Sequence, residues 1–548
     1  MLNEFEMEPV APESLKSSKS FIASFAGEHV AGTEFVIGAL FVSWGVSTGD
    51  LLIGLLIGNT LAVLTWALIT APIATDTRLT LYAYLEKIAG PGTIKVYSLV
   101  NGVLFCILAG AMVTVSASAV RVLFDLPAQV NWYPTDAGFV IVALTVGAVV
   151  SYIAMNGFTK VTRFAEVCAP WMILMFIIGA VISLPVLVAQ PDSISQISNL
   201  NDLYTLAESY IWVESQSDIG LMHVAAFAWV ANLSMHGSLG DLTLLRYAKR
   251  SHYGYYSSLG MFIGHYLAWI CAGVMGAAAG LLLNQNVTQL DAGEVAFQTL
   301  GLVGILAVII AGWTTSNPTI YRAGLAFQSI NHKWNRKAVT LLTGIVTTII
   351  ACFPFVFTGL LDFVGVMGLM LSPVGAVIVT EHWIFPRLGL TRYWNSYKRN
   401  TTNYAAIISW LSALSLAMVL NYYFNIHLFF LVVPVWIWST LCYLGMSFLA
   451  GAKQTYEEAE IYEKQELSRK EAESKYLNNE QLNKVTTKKE HGNRMCEWVA
   501  NLSLLSLAFI ASGIFLGLSH NSIKMWLIFP TIIYFVSASY RIFKVRDT

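Results

Sequence analysis

Apolar residues come in runs of about twenty, parted by short polar joints, the period of a chain that crosses a bilayer as helices again and again. The runs predict spans at residues 20–44, 50–72, 95–122, 137–156, 164–188, 219–242, 255–283, 298–329, 338–353, 357–384, 404–422, 428–449, 497–518 and 524–543. The eighth is the most informative. Residues 300–311 are wholly apolar but too short to cross alone. Completing the span takes residues 312–328, which place Thr314, Thr315, Asn317 and Pro318 near mid-membrane. Each unpaired polar group in hydrocarbon costs several kcal/mol, so this face must look into the protein. Two readings follow: an ion or substrate site, or a kinked helix whose hydroxyls bond back to the preceding turn.

Two other runs are interrupted. In the first, Gly27, Glu28, His29, Val30, Ala31, Gly32, Thr33 and Glu34 divide two apolar halves; in the sixth, Asn232, Ser234, His236, Gly237, Ser238, Gly240 and Asp241 follow an apolar stretch. Glycine-interrupted segments five spans apart predict paired broken helices of an inverted repeat. Such breaks free backbone carbonyls and amides for ions and solute. Residues 74–92, with Arg78, Tyr82, Tyr84, Glu86 and Lys87 among apolar positions, predict a short amphipathic helix lying on the membrane surface. Ser372, Pro373 and Gly375 predict a hinge in the tenth span. Residues 451–496 are dense in Glu and Lys, with Glu460/Lys464, Glu466/Lys470 and Glu471/Lys475 four apart, and predict a solvated helix. The organisation expected is therefore a segment 1–19, a ten-helix core 20–384, two helices in 385–450, a charged linker helix 451–496, and two extra spans with a short tail in 497–548.

Composition agrees with this picture. Only 12% of the 548 residues are charged and 56% are hydrophobic, against about 25% charged in soluble domains. The net charge of −1 decides nothing, because Lys and Arg in individual loops set orientation. They alternate from loop to loop, with Arg121 and Lys524 as exceptions, and place both termini in the cytoplasm of a multi-pass plasma (bacterial inner) membrane protein. Six cysteines without CxxC spacing predict free thiols. No phosphate-binding loop or HExxH is present, which argues against an ATP-driven pump, a zinc hydrolase or any other enzyme. No nucleic-acid-binding motif is found, and a monomer or loose homo-oligomer is expected.

Trp313, Thr314, Thr315, Ser316 and Asn317, followed by Tyr321, Gly324 and Leu325, resemble the W-T-T-N-D…Y-x-x-G-L eighth span of the nucleobase:cation symporter-1 family, the cytosine/purine and hydantoin permeases. Gly45 to Asp50 with Gly58 and Asn59, Gly240 and Asp241 with Arg246 and Tyr247, and Ser372 to Gly375 resemble other stretches of that family in order, over residues 20–449. The resemblance implies an all-α LeuT-type fold of five plus five inverted spans, here with about four further C-terminal helices. It also implies a sodium ion held by Thr314 and Thr315 and by carbonyls of Ala311, Gly27 and Val30. A solute site would then draw on Glu28, His29, Phe105, Trp229, Asn232, His236 and Asn317. The family's third span carries a glutamine and a tryptophan for a flat base, whereas this chain has Leu104 and Ile107 there. An amine, a guanidine-like compound or another small nitrogenous solute thus stands beside a nucleobase-like one. The fifth span lacks a lysine that could replace sodium. The expectation is a sodium-coupled symporter; the alternatives are a proton-coupled one using Glu28 and His29, and a transporter-derived sensor with residues 451–548 as output.

Overall fold

The computed structural model describes residues 5–486 and 494–544, apart from 130, 157, 192, 195 and 216. The first four residues of the expected segment 1–19, residues 487–493 of the linker and the last four residues of the tail lie outside the described residues. The fold is all-α. The first span is two helices, α1 (Ser18–His29) and α2 (Thr33–Ser43). Then come α3 (Thr48–Thr77), α4 (Leu81–Val122), α5 (Ala137–Ala154) and α6 (Phe158–Val188). The sixth span is α7 (Leu221–Val230) and α8 (Leu233–His236). It is followed by α9 (Ser251–Leu283), α10 (Leu302–Ile330), α11 (Arg336–Ala351) and α12 (Gly359–Arg387). Beyond the ten-span core lie α13 (Tyr404–Phe424), α14 (Leu428–Ala452), the charged α15 (Glu457–Thr486), α16 (Arg494–Leu516) and α17 (His520–Ile542).

Among the described residues, 11 helices are long and apolar enough to cross a membrane, or 12 with α1 and α2 taken as one bent span. The other two of the fourteen expected spans are α7–α8, whose longer piece has 10 residues, and α11, with 16. The chain is a multi-pass integral membrane protein.

Both expected breaks are present. The axis turns by 49° between α1 and α2, and Val30 leaves helical backbone at φ −90°, ψ 68°. Gly32 fits because a Cβ there would lie 2.9 Å from Val115 Cγ1 and 3.2 Å from the Gly312 amide nitrogen. The break is therefore pressed between α4 and α10. After α8 the chain turns through residues 237–241, where Leu239 takes a left-handed φ of 63°. In α12, Pro373 has no N–H for the Leu369 carbonyl, and the Ser372 hydroxyl donates to it at 3.3 Å. A Cβ at Gly375 would fall 2.0 Å from the Gly237 carbonyl oxygen, so α12 crosses the second break in direct backbone contact.

Two π-helical stretches receive the breaks, one in each half of the repeat. Trp66–Thr70 of α3 meets the second: the Trp66 indole donates to Asp241 Oδ2 at 2.7 Å and Thr70 Oγ1 to the His236 carbonyl at 2.7 Å. Leu259–Leu267 of α9 meets the first, where Gly260 and Gly264 lie against His29. Widened turns of this kind concentrate at functional sites.

The expected surface helix over residues 74–92 is corrected. Its polar residues face the protein instead of lipid headgroups. Arg78 is buried and donates to the Arg246 carbonyl at 3.0 Å. The Tyr82 hydroxyl donates to Asn101 Oδ1 at 3.0 Å, and the Tyr84 hydroxyl meets His382 Nδ1 at 2.5 Å. A short helix does open at Leu81, but it ends at Gly90 (φ 82°, ψ 162°), where the chain turns into the third span within α4. The linker helix α15 is docked as well as solvated. Glu473 pairs with Arg78, Lys470 pairs with Asp76, and Lys87 Nζ donates to the Tyr462 hydroxyl at 2.9 Å. The two extra spans pack on α6, where the Trp171 indole donates to Thr531 Oγ1 at 3.2 Å and the Tyr534 hydroxyl to the Val167 carbonyl at 2.8 Å. Arg121, an exception to the loop-charge pattern, is neutralised by Asp291 at 2.7 Å and Glu294 at 2.8 Å.

Candidate functional site

The first break, the second break and α10 meet at mid-protein around a small cavity of about 50 Å³. A water needs about 10–15 Å³ on this measure, so the cavity holds a few waters and must widen for a ring-sized solute. Glu28, His29, Ala31, Thr33, Glu34 and Ile37 line it from the first span, and Ala231, Asn232 and Met235 from the sixth. Leu108 and Met112 of α4, His265 and Trp269 of α9, Thr315 and Thr319 of α10, and Leu360 and Val364 of α12 complete the wall.

Helix α10 ties the first break down through oxygen atoms. Thr315 Oγ1 lies 2.8 Å from the Glu28 carbonyl and 3.1 Å from the Ala311 carbonyl, and Thr314 Oγ1 lies 3.0 Å from the same Ala311 oxygen. Of the expected sodium ligands, the structure brings Ala311, Thr314 and Thr315 together and sets them against the carbonyl of Glu28, which follows Gly27 and stands two residues before Val30. Gly27 packs tightly on Ala165 of α6: a Cβ there would come within 2.7 Å of Ala165 Cβ. Neutral hydroxyls and carbonyls are the donor set a hard, singly charged cation prefers, and they fit sodium. No group of three or more His, Cys, Asp or Glu arranged for a metal ion occurs among the described residues.

Two turns further along α10, Arg322 is 1% exposed. Its Nη1 and Nη2 take both oxygens of Glu28, the second at 3.1 Å, and Nη2 also reaches Asp241 Oδ1 at 2.6 Å. One guanidinium thus bridges both broken spans. Buried charges persist only when paired and hydrogen-bonded, and this arrangement meets that condition while taking Glu28 away from any bound solute. Glu34, also on the cavity wall and 3% exposed, accepts from the Trp269 indole and lies 3.7 Å from His265 Nε2. His265 stacks on Trp269 at 4.2 Å between centroids, crosses His29 at 5.2 Å and contacts Asn232 Nδ2 at 3.1 Å.

Of the expected solute residues, Glu28, His29 and Asn232 line the cavity. Phe105, Trp229, His236 and Asn317 do not. Phe105 is buried in the hydrophobic core one turn before Leu108, which takes the place expected for it. Trp229 turns toward α3 and donates to Thr65 Oγ1 at 3.3 Å. His236 Nε2 contacts the Trp229 carbonyl at 2.9 Å, and its ring packs against Trp66. Asn317 is fully buried, and among the described residues neither of its side-chain polar atoms has a hydrogen-bond partner. Sequence reasoning missed Arg322, Glu34, His265 and Trp269. Arg322, Glu34 and His265 carried only the signal of an ionisable residue in or beside an apolar run, and Trp269 carried none.

A helical core with two broken spans crossed by a third and two five-span halves is the LeuT-type fold, and this chain has it. No family model and no curated protein matches the chain. Among solved structures, it is similar to Mhp1, a nucleobase-cation-symport-1 family transporter, closed with bromovinylhydantoin bound: TM-score 0.62 and 15% identity over 82% of this chain and 96% of that one. For inward-facing Mhp1 the values are 0.60, 13%, 81% and 93%. For a Na+-coupled sialic acid symporter, substrate-bound and outward-open, they are 0.56, 16%, 80% and 91%. At these identities the likeness is one of fold.

Proposed function

We propose that this protein is a secondary active transporter that imports a small nitrogen-containing solute together with sodium by alternating access. The observation that carries the reading is the meeting of the Thr315 hydroxyl with the Glu28 and Ala311 carbonyls beside a small mid-protein cavity. Ala311, Thr314 and Thr315 of α10, with Gly27 and Val30 of the broken span, would hold the ion, whose charge would favour the arrangement joining α1 to α10. The chain's own residues do the rest. Arg322 holds both breaks by their carboxylates, Gly32 and Gly375 allow the backbones to touch, and Leu108, Met112, Leu360 and Val364 exclude water. Coupling then requires only that ion and solute bind one conformation better than the other. With Arg78, Arg246 and α15 at the basic end, that end is cytoplasmic by the loop-charge rule. Uptake of labelled nitrogenous solutes into proteoliposomes tests the reading. Accumulation driven by an inward sodium gradient, and abolished when potassium replaces sodium, is the expected outcome.

A second reading is proton coupling, and what favours it is that Glu28 and Asp241 share one guanidinium, an excess of one carboxylate in a buried site. Accumulation that follows a pH gradient without sodium, and is lost in Glu28→Gln, would select it.

A further inference from the structure

Among the described residues, five buried carboxylates differ in what answers them, and Glu34 is the one on the cavity wall that no Lys or Arg pairs with. Glu28 and Asp241 share Arg322, Asp291 has Arg121, and Glu381 receives the Tyr443 hydroxyl and the Tyr393 amide. Glu34 has an indole N–H and a histidine at 3.7 Å; among the described residues no Lys or Arg forms an ion pair with it. It is also the carboxylate on the cavity wall that Arg322 does not take. An ionised carboxylate at membrane depth is costly until a cation joins it.

We propose that Glu34 anchors the positively charged head of the solute, and that the head is a compact planar cation of the amidinium or guanidinium class on a small apolar body. The proposal rests on reading the cavity as the solute site of a transporter. A carboxylate offers about four lone-pair positions; the Trp269 indole takes one on Oε2, which leaves acceptor positions on both oxygens for two parallel N–H bonds, the geometry a planar cation provides. Around it stand further polar residues lining the same space: Asn232, and His29, whose buried Nε2 has no hydrogen-bond partner among the described residues. The rest of the wall, Ile37, Met112, Leu360 and Val364, suits an apolar body and would leave a second charge unanswered. The present volume matches a head group and little more.

The test uses the full-length protein and two probes of nearly equal shape, methylguanidinium and its neutral counterpart methylurea. Thermal shift and isothermal titration in sodium should show methylguanidinium binding at least about tenfold more tightly, a difference of about 1.4 kcal/mol. Glu34→Gln should erase that preference while keeping the sodium-induced shift, because Glu34 is outside the proposed ion ligands. Equal binding of the two probes by the wild type, no binding of methylguanidinium up to about 10 mM, or an unchanged preference in Glu34→Gln would overturn the assignment. If the variant does not fold, the wild-type comparison of charged and neutral probe decides alone. Proteoliposome flux separates this inference from the reading beneath it. Flux of neutral solutes without cation preference would remove Glu34 as anchor and leave transport standing. Tight methylguanidinium binding without flux of any solute would keep the anchor and remove transport.

Discussion

Two carboxylates from different broken spans share one guanidinium that is 1% exposed, so the cost of losing Arg322 follows from burial more than from the hydrogen bonds it makes. Removing one partner of a buried ion cluster strands the others, at about 3–5 kcal/mol, whereas replacing the whole cluster by neutral groups is far cheaper. Arg322→Met should therefore lower the thermal midpoint of the purified protein sharply. The triple variant Glu28→Gln, Asp241→Asn, Arg322→Met should recover most of that loss, and a triple variant no better than the single one would count against the cluster. This residue also marks what the sequence did not disclose. Arg322 stood in the Y-x-x-G-L stretch of the eighth span, but its partners are 294 and 81 residues away, and no local period points to them. Glu34 and Trp269, 235 residues apart, were hidden in the same way. The hydroxyls of Thr314 and Thr315 were legible because adjacent polar side chains in an apolar run have no cheap alternative to facing inward. Phe105 lies one helical turn from Leu108, which lines the cavity, and the stretch of α4 after its break at Gly90 gives no sequence mark of its rotation.

At the scale of elements, the breaks were readable because glycine beside an ionisable residue is a poor way to cross a bilayer. What receives the breaks was not readable, since the π-helical turns of α3 and α9 carry ordinary apolar sequence, Trp66–Thr70 and Leu259–Leu267. The surface-helix expectation for residues 74–92 failed for a related reason: an amphipathic pattern states that one face is polar, and here that face meets buried protein partners. Close backbone crossings give the next prediction. Gly375→Ala puts a Cβ 2.0 Å from the Gly237 carbonyl, a backbone atom that cannot rotate away. Overpacking of this kind costs about 1–3 kcal/mol, so the variant should melt at lower temperature and transport more slowly. Gly359→Ala, where a Cβ meets nothing within 4 Å among the described residues, is the control expected to differ little. Equal effects of the two substitutions would refute the close-crossing account of α12 and the second break.

Over the whole molecule, the segments outside the ten-span core act at its periphery. Helices α16 and α17 back α6, and α15 lies across the end of the core where Arg78 meets Glu473 and the Arg246 carbonyl. Glu473→Ala leaves Arg78 its carbonyl acceptors and removes its carboxylate. Amide exchange in α15 should rise, with the fold of the core and sodium-dependent uptake retained; unchanged exchange would mean that α15 is held by other contacts. The central claim for the molecule is that a monovalent cation joins the first broken span to α10 through neutral oxygens. The most direct measurement is a sodium titration of the thermal midpoint in wild type and Thr315→Ala, with potassium as the paired salt. Stabilisation by a bound ion grows with its excess over the dissociation constant. The account predicts a saturable rise with sodium alone that Thr315→Ala shifts to at least about tenfold higher concentration, a cost of about 1.4 kcal/mol. An equal rise with potassium, or a Thr315→Ala titration that overlays the wild type, would contradict it.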